Sequence, residues 1–215
     1  MRQISIKSVC TLSITAATIV VIAVLVFYVS TSSYHMVAGV QTEALEETSK
    51  IVARSAEIYI NQSVDVATIL ARQKPVQDAF AGQPQEAQEL LRSYVKNLPG
   101  YWSFLLLDLK GRIVAGVNAD MADLTGGDRA DKDYARQIFS GKDVAISESV
   151  MKATSGDALI FVVAKAVHGK DGALLGAVAV CPRWTDFTEK SLDPIRMGRR
   201  GYGFTLDKAG RFISH

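Results

Sequence analysis

The order of apolar and polar positions divides the chain into three stretches, each with its own period. The first, residues 8–34, is uncharged and has no polar face, and from Thr11 to Ser30 only hydroxyl residues interrupt an apolar run. A hydrocarbon layer about 30 Å thick needs roughly 20 apolar residues of helix, so the run predicts a membrane span over residues 11–33. A signal peptide would have a shorter apolar region ending at a small-x-small site, for which only Ser30-x-Ser32 offers itself. A buried core helix with no polar face would need a larger protein around it. The second stretch, residues 34–98, has a helical period, broken near Lys74-Pro75 and at Gly82-Gln83-Pro84, where proline cannot continue a helix. Leu45, Val52, Ala56, Tyr59, Ser63, Val66 and Leu70 form a seam spaced like a coiled coil, and Ile51, Ile58, Ile60, Val64 and Ile69 form a second apolar face. Two apolar faces predict two contacts, one with the chain's own domain and one with the twin helix of a homodimer; the alternative is one broad core-facing stripe on a monomer.

From Trp102 the period becomes that of strands. Residues 103–108 and 112–117 are β-rich runs joined by Leu109-Lys110-Gly111, a hairpin closed by glycine. A loop rich in Gly and Asp, residues 118–131, leads to a short helix over 134–139. Strands over 144–150, 158–167 and 174–183 follow, the last two joined by His168-Gly-Lys-Asp-Gly172. The order predicts an α+β fold: a transmembrane helix continuing into a stalk helix, then a five-stranded antiparallel sheet of the PAS type with its helices on one side.

Composition adds sidedness and removes some functions. Arg2 and Lys7 are the only charges before the span, and Tyr28 and Tyr34 fall where interfacial aromatics belong. The expected topology is a cytoplasmic N-terminus, residues 1–10, with the bulk of the chain periplasmic or extracellular. With 215 residues and a formal net charge of +2, the chain offers no basic stripe for nucleic acid. Cys10 and Cys181 lie on opposite sides of the expected membrane and form no disulfide framework. No nucleophile elbow, phosphate-binding glycine loop or His-Glu-x-x-His occurs, so no enzyme and no cofactor are expected. Asp128-x-x-Asp131-x-Asp133 departs from the EF-hand spacing, which wants glycine at the sixth position, and no metal is expected.

An echo closes the chain. Phe104-x-x-Leu107-Asp108-x-x-Gly111-Arg112-Ile113 returns as Phe204-x-Leu206-Asp207-x-x-Gly210-Arg211-Phe212-Ile213. Residues 99–184 read as a complete module, 185–200 as a linker, and 201–215 as the start of a second module in an N-terminal fragment of a longer protein. These residues resemble a known family. The span, the long helix, Asp128 to Tyr134 with its Asp-Lys-Asp-Tyr, Gly141-Lys142 with Ile146-Ser147, and above all Gly201-Tyr-Gly-Phe-x-x-Asp-x-x-Gly-Arg-x-Ile-Ser-His215 are similar to the double Cache region of bacterial transmembrane receptors. The resemblance covers nearly all of the chain. It implies two PAS-like modules on a stalk helix and small-molecule sensing by a methyl-accepting chemotaxis protein. The alternatives are a histidine kinase or diguanylate cyclase output, or a membrane-anchored solute-binding protein without signalling.

The candidate binding residues come from two sources. Arg129, Lys132, Tyr134 and Lys152 are four donors gathered around one loop and one strand, an anion pocket beside aromatic Tyr101 and Trp102. The resemblance implies a pocket in the distal module, with Lys132-Asp133-Tyr134 standing at the family's Arg-Asp-Tyr, Ser147 to Lys152 at its Ser-to-Arg stretch, and Cys181 near an Asp that takes an ammonium in members binding amino acids. Lysine in place of arginine holds a carboxylate as a point charge and not as a fork. The missing Asp points away from an α-amino acid and toward a small carboxylate.

Overall fold

The computed structural model describes residues 6–197, 201–206 and 212–214. Two compact units appear, Met1–Ile51 and Val52–His215. The first holds the N-terminal part of helix α1 (Ile6–Ala71), which is long and apolar enough to cross a membrane. Its apolar side chains from Ile14 to Val40 are exposed, which the interior helix of a soluble protein would not allow. The N-terminal charge at Arg2 lies outside the described residues.

In the second unit α1 runs to Ala71 and gives way to α2 (Lys74–Phe80) and α3 (Pro84–Asn97), each with proline in its first turn, where a missing N–H costs nothing. Strands β1 (Tyr101–Leu107) and β2 (Ile113–Asn118), helix α4 (Asp133–Phe139), strand β3 (Val144–Ile146) and the short pair β4 (Met151–Lys152) and β5 (Leu159–Ile160) follow. Then come β6 (Val163–His168), β7 (Leu174–Pro182) and α5 (Trp184–Ser191). The sheet has the order β2-β1-β7-β6-β3, antiparallel between every pair of neighbours, which is the expected five-stranded α+β layout.

Alternating side chains give the sheet two apolar faces. Phe104, Leu106, Val178 and Val180 meet α1, α2, α3 and α5 through Leu70, Val76, Leu91 and Phe187. Leu105, Leu107, Ala177 and Ala179 meet α4 through Tyr134, Ala135 and Ile138. One helix therefore covers the face that was expected to be bare. Two further expectations change. The run 158–167 is not one strand, because β5 turns away after Ile160 to pair with β4, Met151 facing Ile160. The segment expected as a linker opens with α5, whose Trp184 and Phe187 are buried in the helix-side core with Leu192 behind them.

The helical seam is also reassigned. Val52, Ala56, Tyr59, Val66 and Leu70 pack against the module's own core, and Ser63 is fully buried. Their period matches packing on the module's own core. The outward positions of the same stretch are Ile58 and Ile69, at 50% and 52% exposure. Tyr59 fastens the helix to the sheet: its hydroxyl donates to the carbonyl of Arg183 (3.0 Å) and lies 3.3 Å from that of Gly100.

Beyond α5, β8 (Arg196–Met197) pairs with β9 (Gly201–Tyr202), and β10 (Thr205–Leu206) pairs with β11 (Phe212–Ser214). The echo's Asp207, Gly210 and Arg211, and His215, lie outside the described residues.

Candidate ligand-binding site

A small cavity lies on the α4 side of the sheet, and an irregularity of β1 builds its floor. Tyr101 pairs with Pro182 but Ser103 with Cys181, so Trp102 is an extra residue in the strand, a β-bulge. Strict alternation would put Tyr101 and Ser103 on one face and Trp102 on the other with Phe104. The bulge instead sends Tyr101 to the helix side, stacked on Phe104 at 5.1 Å, and leaves Trp102 and Ser103 both lining the cavity. Tyr101 was expected at the pocket for the aromatic patch it makes with Trp102. It is a helix-side core residue whose hydroxyl bonds Ser63 Oγ at 3.3 Å.

The rim comes from the loop before α4. This loop is pinned to the β1–β2 hairpin by Ile113 N to Gly127 O (2.8 Å) and Arg129 N to Gly111 O (2.8 Å). Gly111 sits at φ +78°, and a Cβ there would come within 2.6 Å of Ala130 Cα, so the contact needs glycine. The loop carries Arg129, Lys132 and Tyr134 to the cavity. Opposite, the β4–β5 hairpin brings Met151, Lys152, Ala153, Thr154 and Ser155. Its tip presses on the floor: a Cβ on Gly156, whose φ is +99°, would lie 2.5 Å from Trp102 Cζ2. Cys181 of β7 and Leu105, Ile160 and Val162 complete an apolar base.

Of the eight expected site residues, Arg129, Lys132, Tyr134, Lys152 and Cys181 line the cavity. Tyr101, Asp133 and Ser147 do not. Asp133 Oδ2 accepts the Glu148 N–H at 2.5 Å, joining α4 to the strand after it. Ser147 Oγ accepts from Val162 N and donates to Ser149 O, both at 3.0 Å, holding the chain where it leaves β3. Both residues shape the cavity wall from behind. Trp102, expected beside the pocket, forms part of its lining, while Ser103 and the hairpin residues 153–155 were not expected as site residues. The bulge has no mark in the sequence, and a run of small polar residues reads as an ordinary turn.

The charges are of one sign. Arg129, Lys132 and Lys152 line the cavity, and among the described residues no Asp or Glu does. Lys132 Nζ pairs with Asp131 at 3.0 Å and Lys152 Nζ with Asp157 at 2.7 Å, both partners exposed outside the lining. The hydrogen bond from Lys132 lowers the pKa of Asp131, and that from Lys152 lowers that of Asp157. Arg129 Nη1 donates to a backbone carbonyl, Asp128 O, at 2.6 Å. Burial raises the pKa of the Tyr134 hydroxyl and pushes the Cys181 thiol up to about 11. At neutral pH the floor is thus an uncharged thiol and phenol under a cationic rim. The space within is about 20 Å³, room for about one water molecule.

The Cache domain family model matches residues 33–215. The chain belongs to the Cache domain family. No curated protein matches it at a meaningful level. Among solved structures it is similar to the ligand-binding domain of the Campylobacter jejuni chemoreceptor Tlp3 in complex with 4-methylisoleucine (TM-score 0.63, 15% identity, 78% of this chain and 66% of that one). It is also similar to the sensor domain of the V. cholerae histidine kinase DctB (TM-score 0.59, 12% identity, 70% of this chain and 58% of that one). The E. coli DcuS sensor domain matches with a TM-score of 0.52 at 15% identity, over 63% of this chain and 96% of that one. At such identities these likenesses establish the fold. The chain spans 66% of the Tlp3 domain and 58% of that of DctB. This Cache domain is thus built like sensor domains of both chemoreceptors and histidine kinases, and it follows a helix long and apolar enough to cross a membrane.

Proposed function

We propose that this Cache protein is the extracytoplasmic sensory region of a transmembrane chemotaxis receptor that binds a small carboxylate between the rim cations and the β1 floor, the rim loop and the β4–β5 hairpin parting to enlarge a space that holds about one water in this structure. The observation that carries the reading is the charge of the cavity: three cationic side chains line it and no carboxylate does, among the described residues. The Tlp3 domain holds 4-methylisoleucine. Here the ammonium of such a ligand would find no counter-charge, and a buried unpaired charge is costly. Lys132 and Lys152 exchange their exposed aspartate partners for the ligand on binding, a small loss because exposed pairs contribute little.

In this reading the N-terminus is cytoplasmic, residues 11–33 span the membrane, residues 99–184 are the distal sensing module and residues 201–215 open a second one. Two copies meet through the outward face of α1 at Ile58 and Ile69. Signal passes from floor to helix by a short path, since Tyr59 holds the carbonyls of Gly100, two residues before Trp102, and of Arg183, whose guanidinium lies 5.1 Å from the Trp102 ring centroid. A shift of the floor that moved either carbonyl would move α1 with it.

The test is a thermal-shift panel on the purified chain in detergent, followed by capillary chemotaxis toward whichever compound binds. Sodium acetate, L-lactate, succinate and pyruvate are the acids, and L-valine, L-isoleucine and putrescine the counter-panel. At a hundredfold excess over Kd a ligand adds about 2.7 kcal/mol to stability. At least one acid is expected to raise Tm and to attract cells. Stabilisation by an amino acid or the diamine, with none by the acids, overturns the carboxylate reading.

A further inference from the structure

Trp102 is the one aromatic of the cavity whose polar atom is buried with nothing to bond. The residue is 8% exposed, and its Nε1–H has no hydrogen-bond partner among the described residues. Leaving such a donor unpaired costs about 1–3 kcal/mol, and the bulge that turns Trp102 toward the cavity forfeits regular pairing as well. A phenylalanine would be aromatic with no unpaired donor, at the cost of a smaller ring. The ring is also held firmly. The Arg183 guanidinium lies 5.1 Å from its centroid, and the Gly156 backbone abuts the Cζ2 edge next to the nitrogen. A cation over the ring draws electron density from it and makes the N–H a better donor.

Trp184 has an equally unpaired Nε1, but it lies in the helix-side core against Phe161 and Phe187, away from the cavity. It is not among the residues that line the cavity, so it serves as an internal control. The two indoles are the chain's only tryptophans.

We infer that Trp102 is a ligand-contacting, specificity-determining residue: its indole N–H donates to an acceptor oxygen of the bound anion, on the floor opposite the Arg129–Lys132–Lys152 rim. The inference rests on the ligand reading above and narrows it. The ligand needs one anionic group for the rim and an oxygen acceptor that reaches the sheet, either the second carboxylate oxygen or a hydroxyl or keto group beside it. An acid carrying such a group, as lactate and pyruvate do, uses both ends of the cavity.

The experiment uses the full chain in detergent and the four sodium salts above. Wild type, Trp102→Phe, Trp184→Phe and Lys132→Ala are titrated calorimetrically, and the two indole N–H signals are followed by NMR in wild type labelled with ¹⁵N-tryptophan. Trp102→Phe is expected to weaken binding about tenfold or more, as a charge-assisted hydrogen bond requires. Trp184→Phe should bind as wild type does. One indole signal, absent in Trp102→Phe, should move downfield at saturation while the other stays. Affinity of Trp102→Phe within twofold of wild type, while Lys132→Ala loses binding, overturns the role of Trp102 and leaves the pocket standing. An unmoved Trp102 signal at saturation overturns it too, even where the variant fails to fold. Absence of binding by all four salts to wild type overturns the pocket reading and this inference together.

Discussion

Cys181 shows how burial sets the chemistry of a single side chain in this site. A thiol pushed up to about 11 is neutral at physiological pH, a weak nucleophile and a weak hydrogen-bond donor. It therefore lines the cavity as a small apolar group where an ammonium-binding member would need a charge. The shift is also a statement about stability. The folded-state value lies above the ordinary 9.0, so the stabilisation is fully present below pH 9 and is lost as pH rises toward 11. Two units correspond to about 2 to 3 kcal/mol, and burial shifts Tyr59, Tyr101 and Tyr134 in the same direction. Unfolding free energy should fall between pH 9 and 11, with a shallower fall in Cys181→Ala. Equal slopes in the two proteins would assign the loss to the tyrosines alone. At this scale the sequence revealed the cations by type but not the role of Trp102, because its direction depends on one inserted residue whose neighbours read as ordinary strand.

Helix α1 shows the same limit at the scale of an element. Its length, its breaks at Pro75 and Pro84 and its apolar period were legible in the residues, since proline and hydropathy act locally. The partner of each face was not, because a seam spaced for a coiled coil is equally suited to the module's own core, where Phe161 and Phe187 lie. Tyr59 decides the matter, its ring 5.7 Å and 6.0 Å from those two and its hydroxyl on two strand ends. Disulfide cross-linking in membranes should therefore join copies carrying Ile58→Cys or Ile69→Cys and fail with Tyr59→Cys. Efficient cross-linking at Tyr59 alone would mean that α1 leaves the module to pair with its twin.

The second unit places a cavity lined by three cationic side chains on one face of a five-stranded sheet and the C-terminal part of α1 on the other. The succession of helices and strands along the chain, the glycine-closed hairpins and the apolar stretch were readable from the sequence because each follows from local periodicity. The β4–β5 hairpin and the burial of α5 were not, since both depend on contacts made across the fold. The charge of the cavity joins the two scales, as the rim residues were identifiable by type and their convergence by the fold alone. Isothermal titration of the wild-type chain with the acid that raises its Tm most, repeated on Arg129→Ala and Lys132→Ala, tests this account most directly. One site per chain is expected, with a loss of about tenfold or more in each variant. Binding that both variants leave unchanged would contradict it.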